Sequence, residues 1–217
     1  RTVPSGEESM FLINEFLNEV PEIQNTNNNP TPINGKVTFK DVSFTYEDTN
    51  ITALKNIDLT VEAGETLAIL GNTGSGKSTI IELISRLYDV TKGVILIDDT
   101  LITEANLYDI RSQIGFVPQD PFLFSDTIGN NIKFGKEEAT KDEIIDAAKN
   151  AVVHNNIVEF TNGYDTILGE RGVTLSGGQK QRVSIARAII KNPKILIVDD
   201  CLSAVDTETE EKILSNL

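Results

Sequence analysis

The 217-residue chain is 39% hydrophobic and 24% charged, the balance of a globular protein long enough to bury one substantial core with a small subdomain attached. It contains no run of about 18 apolar residues, so no segment is expected to cross a bilayer. No basic-then-apolar stretch precedes a small-residue cleavage site, so no secretion signal is expected either. A net charge of −14 repels phosphate backbones and speaks against sequence-independent nucleic-acid binding, while leaving room for a small basic pocket. The single cysteine, Cys201, can form no internal disulfide and fits a reducing compartment.

In chain order, residues from Glu7 to about Asn18 place Met10, Phe11, Phe16 and Leu17 at mixed helical spacing, which predicts a short helix ended by Pro21. Asn25 to Pro32 is polar with two prolines and reads as a linker, so the globular part begins near Ile33. From Lys36 the pattern alternates through Val37 and Phe39, then Val42, Phe44 and Tyr46; the phase slip near Asp41 predicts a bulge between two strand pieces. Leu54, Ile57, Leu59 and Val61 continue as strand, followed by a turn at Glu62–Glu65. Thr66–Leu70 reads as a short apolar strand leading into a glycine-rich loop, after which Ile80, Ile81, Leu83, Ile84 and Leu87 recur at helical spacing. Val94–Ile97, Ile114–Val117 and Ile195–Val198 read as further buried strands.

Between the last two of these the chain is mostly helical. Thr140 with Glu143 forms a candidate capping box, and Val183, Ile185, Ala186, Ile189 and Ile190 give an apolar helix face after Gly177-Gly178. Strands interleaved with helices predict an α/β domain with a largely parallel central sheet. No internal repeat is visible.

Gly71-Asn72-Thr73-Gly74-Ser75-Gly76-Lys77-Ser78 matches G-x-x-x-x-G-K-[ST] between a predicted strand and a predicted helix. Such a loop binds phosphate because glycines let backbone N–H groups approach the oxygens and adopt positive φ. The helix behind it points its positive end the same way. Lys77 is placed to neutralise β- and γ-phosphate charge, and the Ser78 hydroxyl to ligate Mg²⁺. A chance match arises roughly once in a hundred chains of this size. By itself the loop leaves ATPases, GTPases and kinases open.

Leu175-Ser176-Gly177-Gly178-Gln179 stands at the start of the second apolar helix and makes another anion-binding helix end. Ser-Gly-Gly would also serve as a simple cap, but a cap does not ask for the whole pentapeptide. The strand Ile195–Val198 then ends in Asp199-Asp200; carboxylates at a strand end beside a phosphate site can hold Mg²⁺ and polarise a water.

With these residues in view, the stretch from Ile33 to Leu217 closely resembles the ATP-binding cassette of ABC transporters. GNTGSGKS resembles the Walker A loop, LSGGQ the signature and ILIVD the Walker B strand; Phe116–Asp120 is similar to the Q-loop with Gln119 as its glutamine, and Ser203–Asp206 to the D-loop. Tyr46 occupies the place of the A-loop aromatic that stacks on adenine; taken alone it reads as an ordinary half-buried strand tyrosine. Gly169-Glu170-Arg171-Gly172 resembles the exporter X-loop that abuts coupling helices, and the segment Gln119 to Gly135 has the exporter style.

The resemblance implies a P-loop NTPase (RecA-like) α/β core with an antiparallel β subdomain and a helical subdomain inserted at about residues 120–191. Residues 1–32 would be the linker from the last transmembrane helix and 33–217 the cassette, ending short of the family's switch histidine. It further implies ATP bound by Tyr46, Asn72, Thr73, Gly74, Ser75, Gly76, Lys77, Ser78 and Thr79. Mg²⁺ would be held by Ser78, Gln119 and Asp199. Catalysis would fall to Asp200, Gln119 and Lys77. Leu175, Ser176, Gly177, Gly178 and Gln179 would cover the ATP of a second cassette, Asp206 would belong to the D-loop, and Glu170 and Arg171 would meet transmembrane domains at the cytoplasmic face of a membrane.

One departure stands out. Asp200 occupies the position where most active members carry glutamate, and its carboxylate falls about an ångström short, a misplacement that can cost roughly a hundredfold in rate. Asymmetric heterodimeric exporters show the same pairing of Asp with an intact signature, which implies a different subunit as partner. His154 lies outside the switch position and reads as a surface or packing residue, and Cys201 as a small buried filler. Glu137-Glu138 and Glu208–Glu211 read as solvated helix faces. A GTPase is disfavoured by the lack of an N-K-x-D guanine-reading motif, and a soluble cassette of translation or repair by the GERG loop, the membrane-proximal linker and the acidic charge.

Overall fold

The computed structural model describes residues 10–11, 13–14, 17–18, 20–169, 174–201 and 205–217. Its first layer is a four-stranded antiparallel sheet in the order β2-β1-β3-β4, from β1 (Val37–Tyr46), β2 (Ile51–Val61), β3 (Lys92–Ile97) and β4 (Thr100–Leu101). The predicted phase slip is real. The β1–β2 register shifts between Phe39 and Val42, and Asp41 takes φ 48°. The extra residue resets the alternation so that Val37, Phe39, Val42 and Phe44 all reach the core. Across the bulge, Gly93 has φ 82°, and a Cβ there would collide with the carbonyls of Lys40 and Asp41.

Two helices cover this sheet: α1 (Lys77–Ile84) and α2 (Leu107–Gln113), the latter capped by Asn106, whose side chain accepts from the amides of Tyr108 and Asp109. Ile80, Leu83 and Ile110 pack with Phe39, Phe44, Leu54, Ile95 and Ile97 into one core.

The parallel part is a pair of strands, β5 (Ile114–Val117) and β6 (Ile195–Val198), in register from Ile114↔Ile195 to Val117↔Val198. Side chains alternate across this pair. Ile114, Ile195 and Ile197 face the first core, whereas Val117 and Leu196 face a second one. That second core is helical: α3 (Ile128–Lys133), α4 (Lys141–Asn150), α5 (His154–Val158) and α6 (Gly177–Ile189) come between β5 and β6, and α7 (Thr207–Asn216) follows β6. The capping box expected at α4 is present, with Thr140 Oγ1 accepting from Glu143 N and Glu143 bonding back to Thr140 N.

Two expectations need correction. The largely parallel central sheet is, among the described residues, only the β5–β6 ladder, and Thr66–Leu70 forms no strand. Leu67, Ile69 and Leu70 are 44%, 40% and 92% exposed. Apolar composition supplies strand propensity, but strand geometry is held by a hydrogen-bonding neighbour, and this segment pairs with none.

The polar stretch before Ile33 is also more than a linker. Thr26 and Asn27 donate to the carbonyls of Thr103 and Glu104, Asn25 accepts from Leu107 N, and Thr31 N donates to Asp109 at 2.7 Å. Its short amide and hydroxyl side chains serve backbone groups of the β4–α2 connection. Upstream, Met10, Phe11, Ile13 and Leu17 are helical and all exposed, while Glu7 and Phe16 of the expected helix lie outside the described residues. No helix of the described residues is long and apolar enough to cross a membrane.

Candidate functional site

The carboxyl ends of β5 and β6 define one edge of the site. Because the two strands are parallel and in register, the chain leaves both at the same level, and Asp199 N extends the ladder by donating to Val117 O at 2.9 Å. Gln119 and Asp200 thereby come together, Gln119 Nε2 lying 3.4 Å from Asp200 Oδ2. Asp199 is half-buried, while Asp200 is exposed and holds a left-handed backbone at φ 43°. Such a conformation is uncommon outside glycine, Asn and Asp.

The phosphate loop ends directly in α1. Ser75 N donates to Asn72 O at 3.2 Å, closing a turn in which Gly74 has φ 79°. Gly76 caps α1 with φ 90°, and a Cβ on it would meet Ala53 O at 2.6 Å and Leu54 Cδ2 at 2.8 Å, so only glycine lets the loop settle on β2. Lys77 Nζ donates to Gly71 O at 2.7 Å and Asn72 O at 2.9 Å, which holds the ammonium against the loop's own carbonyls. Asn72, Thr73, Gly74, Ser75 and Ser78 are exposed, and Thr79 is buried.

Tyr46 ends β1 beside α1. Its hydroxyl donates to Glu82 Oε2 at 2.7 Å and lies 2.9 Å from Thr79 Oγ1; its ring packs edge-on against Phe44 and Tyr88. Burial, chiefly, raises the phenol above its ordinary value, so it stays a proton donor.

Ser176 begins α6 as its N-cap, accepting from Gln179 N at 3.3 Å while Ser176 N donates to Gln179 Oε1 at 2.9 Å. The capping reading is thus realised, and it accounts for Ser176 and Gln179 but demands neither Gly177 nor Gly178. Leu175 is buried, whereas Ser176 and Gly177 face solvent. Asp206 caps α7, accepting from Thr209 N at 3.0 Å, and this bond holds its carboxyl below the usual range. Glu170 and Arg171, and Ser203 and Ala204 of the expected D-loop, lie outside the described residues.

The donor set proposed for Mg²⁺, a hydroxyl, an amide oxygen and one carboxylate, consists of hard oxygen ligands. It fits a cation that keeps several waters and shares a nucleotide's phosphates. Such a site needs no cage of ligating side chains, and among the described residues no three or more His, Cys, Asp or Glu side chains are grouped so that they could hold a metal ion.

Two contributors escaped sequence reading. Glu82 is one; nothing along the chain signals that it receives the Tyr46 hydroxyl. Arg187 is the other: it donates to Phe122 O, Asn131 O and Asn131 Oδ1 at 2.7–2.9 Å and lies over the rings of Phe124 and Phe134. A charge set into the apolar face of α6 was the available clue.

The family model described as ABC transporter matches residues 54–203, most of the chain and every motif from the phosphate loop to the acids after β6. The chain belongs to the ABC transporter family. Among ABC transporter relatives, it is 52% identical over 84% of its length to the ATP-binding protein YfiB of Bacillus subtilis, covering 32% of that protein. It is 44% identical over 96% of its length to an ATP-dependent lipid A-core flippase of Syntrophus aciditrophicus, covering 34% of it. It is 47% identical over 97% of its length to the ATP-binding cassette sub-family B member 6 of Xenopus tropicalis, covering 24% of it. The chain therefore spans about a third or less of these relatives. Its structure superposes on a bacterial Atm1-family ABC exporter solved with ATP bound, with a TM-score of 0.91 and 42% identity over 97% of this chain and 37% of that one. The fold is that of an ABC ATPase domain, a P-loop NTPase with an antiparallel β subdomain, of exporter type.

Proposed function

We propose that this domain binds and hydrolyses ATP to power export of a substrate across a membrane, working on the cytoplasmic face with transmembrane domains and a second, different cassette. The observation that carries the reading is the parallel register of β5 and β6, which delivers Gln119, Asp199 and Asp200 to one edge of an ABC fold whose phosphate loop is intact. Ligands of open α/β sheets bind at the carboxyl ends of parallel strands.

In this reading the amides of Asn72 to Ser78 and the Lys77 ammonium cradle the phosphates, and Tyr46 supports the adenine. Ser78, Gln119 and Asp199 would hold Mg²⁺, which when bound neutralises phosphate charge. Asp200 accepts a proton from, or orients, the attacking water, with the Gln119 amide positioning both. The exposed N-terminus of α6 gives the chain a second phosphate-binding end. Its use is to close over the nucleotide of a partner cassette, so that ATP draws the two together and hydrolysis releases them.

The transmembrane partner is supported by an exposed aromatic face. Phe122 and Phe134 are 66% and 68% exposed beside a hollow of about 380 Å³ lined by Phe124, Ser125, Asp126, Asn130, Asn131 and Phe134. Gly169, the last described residue before the GERG loop continues, packs against Ser125 of this rim. A second reading is favoured by Asp200 itself: with its shorter side chain, the domain holds ATP for long periods, hydrolyses little, and regulates a competent partner.

Calorimetric titration with Mg²⁺-ATP, together with light scattering, tests the proposal. Binding that Lys77→Ala abolishes, with ATP-dependent association on mixing with a second cassette, is expected. Absence of ATP binding by the unsubstituted chain would end the reading.

A further inference from the structure

The half-buried Tyr46 sets its hydroxyl against a helix whose first turn belongs to the phosphate loop. A phenol has one proton to give. That proton goes to Glu82 Oε2, so the Thr79 hydroxyl, 2.9 Å away, is the donor to the phenolic oxygen. Thr79 and Glu82 are three residues apart on one face of α1, and Thr79 immediately follows Lys77 and Ser78. Thr79 is 4% exposed, so water does not compete for its hydroxyl. The ring is held from its sides as well, with centroids 4.8 Å from Phe44 and 5.6 Å from Tyr88, both edge-on.

We propose that Glu82, with Thr79, is a positioning residue that ties the Tyr46 ring to the phosphate helix, fixing the distance between the adenine support and the phosphate cradle. The inference rests on the reading of Tyr46 as the adenine support. Two hydrogen bonds, one of them to a carboxylate, and two ring contacts leave the tyrosine little rotational freedom. A ring preset in this way loses little side-chain entropy when a base stacks on it. The link joins the two recognition elements physically, through one turn of α1. Sequence distance hides it: Glu82 lies 36 residues from Tyr46.

Calorimetry with Mg²⁺-ATP and, separately, Mg²⁺-tripolyphosphate tests this, the second probe having phosphates and no base. Tyr46→Phe keeps the ring and removes the hydroxyl; Glu82→Leu removes the acceptor. Each is expected to weaken ATP binding about tenfold, the double variant no further, and neither to alter tripolyphosphate binding. Glu82→Gln, which still accepts the hydrogen bond, restores most of the loss. If Tyr46→Ala weakens ATP but Tyr46→Phe and Glu82→Leu bind it normally, the positioning inference fails and the adenine support stands. If Tyr46→Ala leaves ATP binding intact, the adenine support itself is wrong. Equal losses of ATP and tripolyphosphate would also overturn the inference, since damage would then lie in the phosphate loop.

Discussion

Gln119 and Asp200, 81 residues apart in sequence, meet with amide nitrogen and carboxylate oxygen 3.4 Å from each other. The contact exists because β5 and β6 pair in parallel and end level. It places an amide and a carboxylate together at the edge where we propose that water attacks.

The length of the Asp200 side chain is then decisive. Asp200→Glu extends the carboxylate by one methylene and is expected to raise the single-turnover ATPase rate by up to about a hundredfold. Asp200→Asn should lower it below that of the unsubstituted chain. Rapid-quench measurements on the three proteins check this. An unchanged rate in Asp200→Glu would remove the explanation of a slow site.

Ser176 has a capping role in the structure and a proposed role toward a partner's phosphates, and one substitution separates them. Ser176→Asp caps a helix about as well as serine, whereas Ser176→Ala should cost about 1 kcal/mol of stability. Aspartate also brings a negative charge to the place proposed for phosphate. Ser176→Asp is therefore expected to melt like the unsubstituted protein yet fail to associate with a second cassette in ATP. Normal association of that variant would leave Ser176 as a cap alone.

Glu143 gives stability an acid limb. The Lys136 ammonium, first, and the Thr140 backbone amide hold its carboxyl down to about 2 from an ordinary value of 4.5. A carboxylate depressed by folding stabilises the fold above its unfolded pKa, and the contribution drains away as pH falls toward the folded value. Chemical denaturation between pH 5 and about 2 should therefore show a steeper loss in the unsubstituted protein than in Glu143→Gln. Parallel curves would show that the pair contributes nothing in solution.

Cys201 directly follows the acids after β6 and is fully buried, and burial pushes its thiol up to about 11. It is expected to resist a maleimide at pH 8 in the native protein and to react fully in denaturant. Rapid native labelling would contradict the burial.

Local chemistry was readable along the chain wherever a feature closes within a few residues. The bulge at Asp41, the capping box of Thr140 and Glu143, the turn at Glu62–Glu65 and the bounds of β5 and β6 all appear in the sequence, because alternation and caps depend on near neighbours. The turn of the phosphate loop and the cap of α6 are equally local, since each closes through bonds between residues three apart. Partnership across the chain was another matter. Thr66–Leu70 has strand composition and no strand, as pairing depends on a free edge elsewhere. The polar stretch before Ile33 looked like a tether until its side chains met the β4–α2 connection. Gln119 reaches Asp200, Tyr46 reaches Glu82, and Arg187 reaches Phe122 and Asn131 only after the sheets and helices stack. Side-chain hydrogen bonds act over about 3 Å, and only the folded chain decides which distant residues come that near.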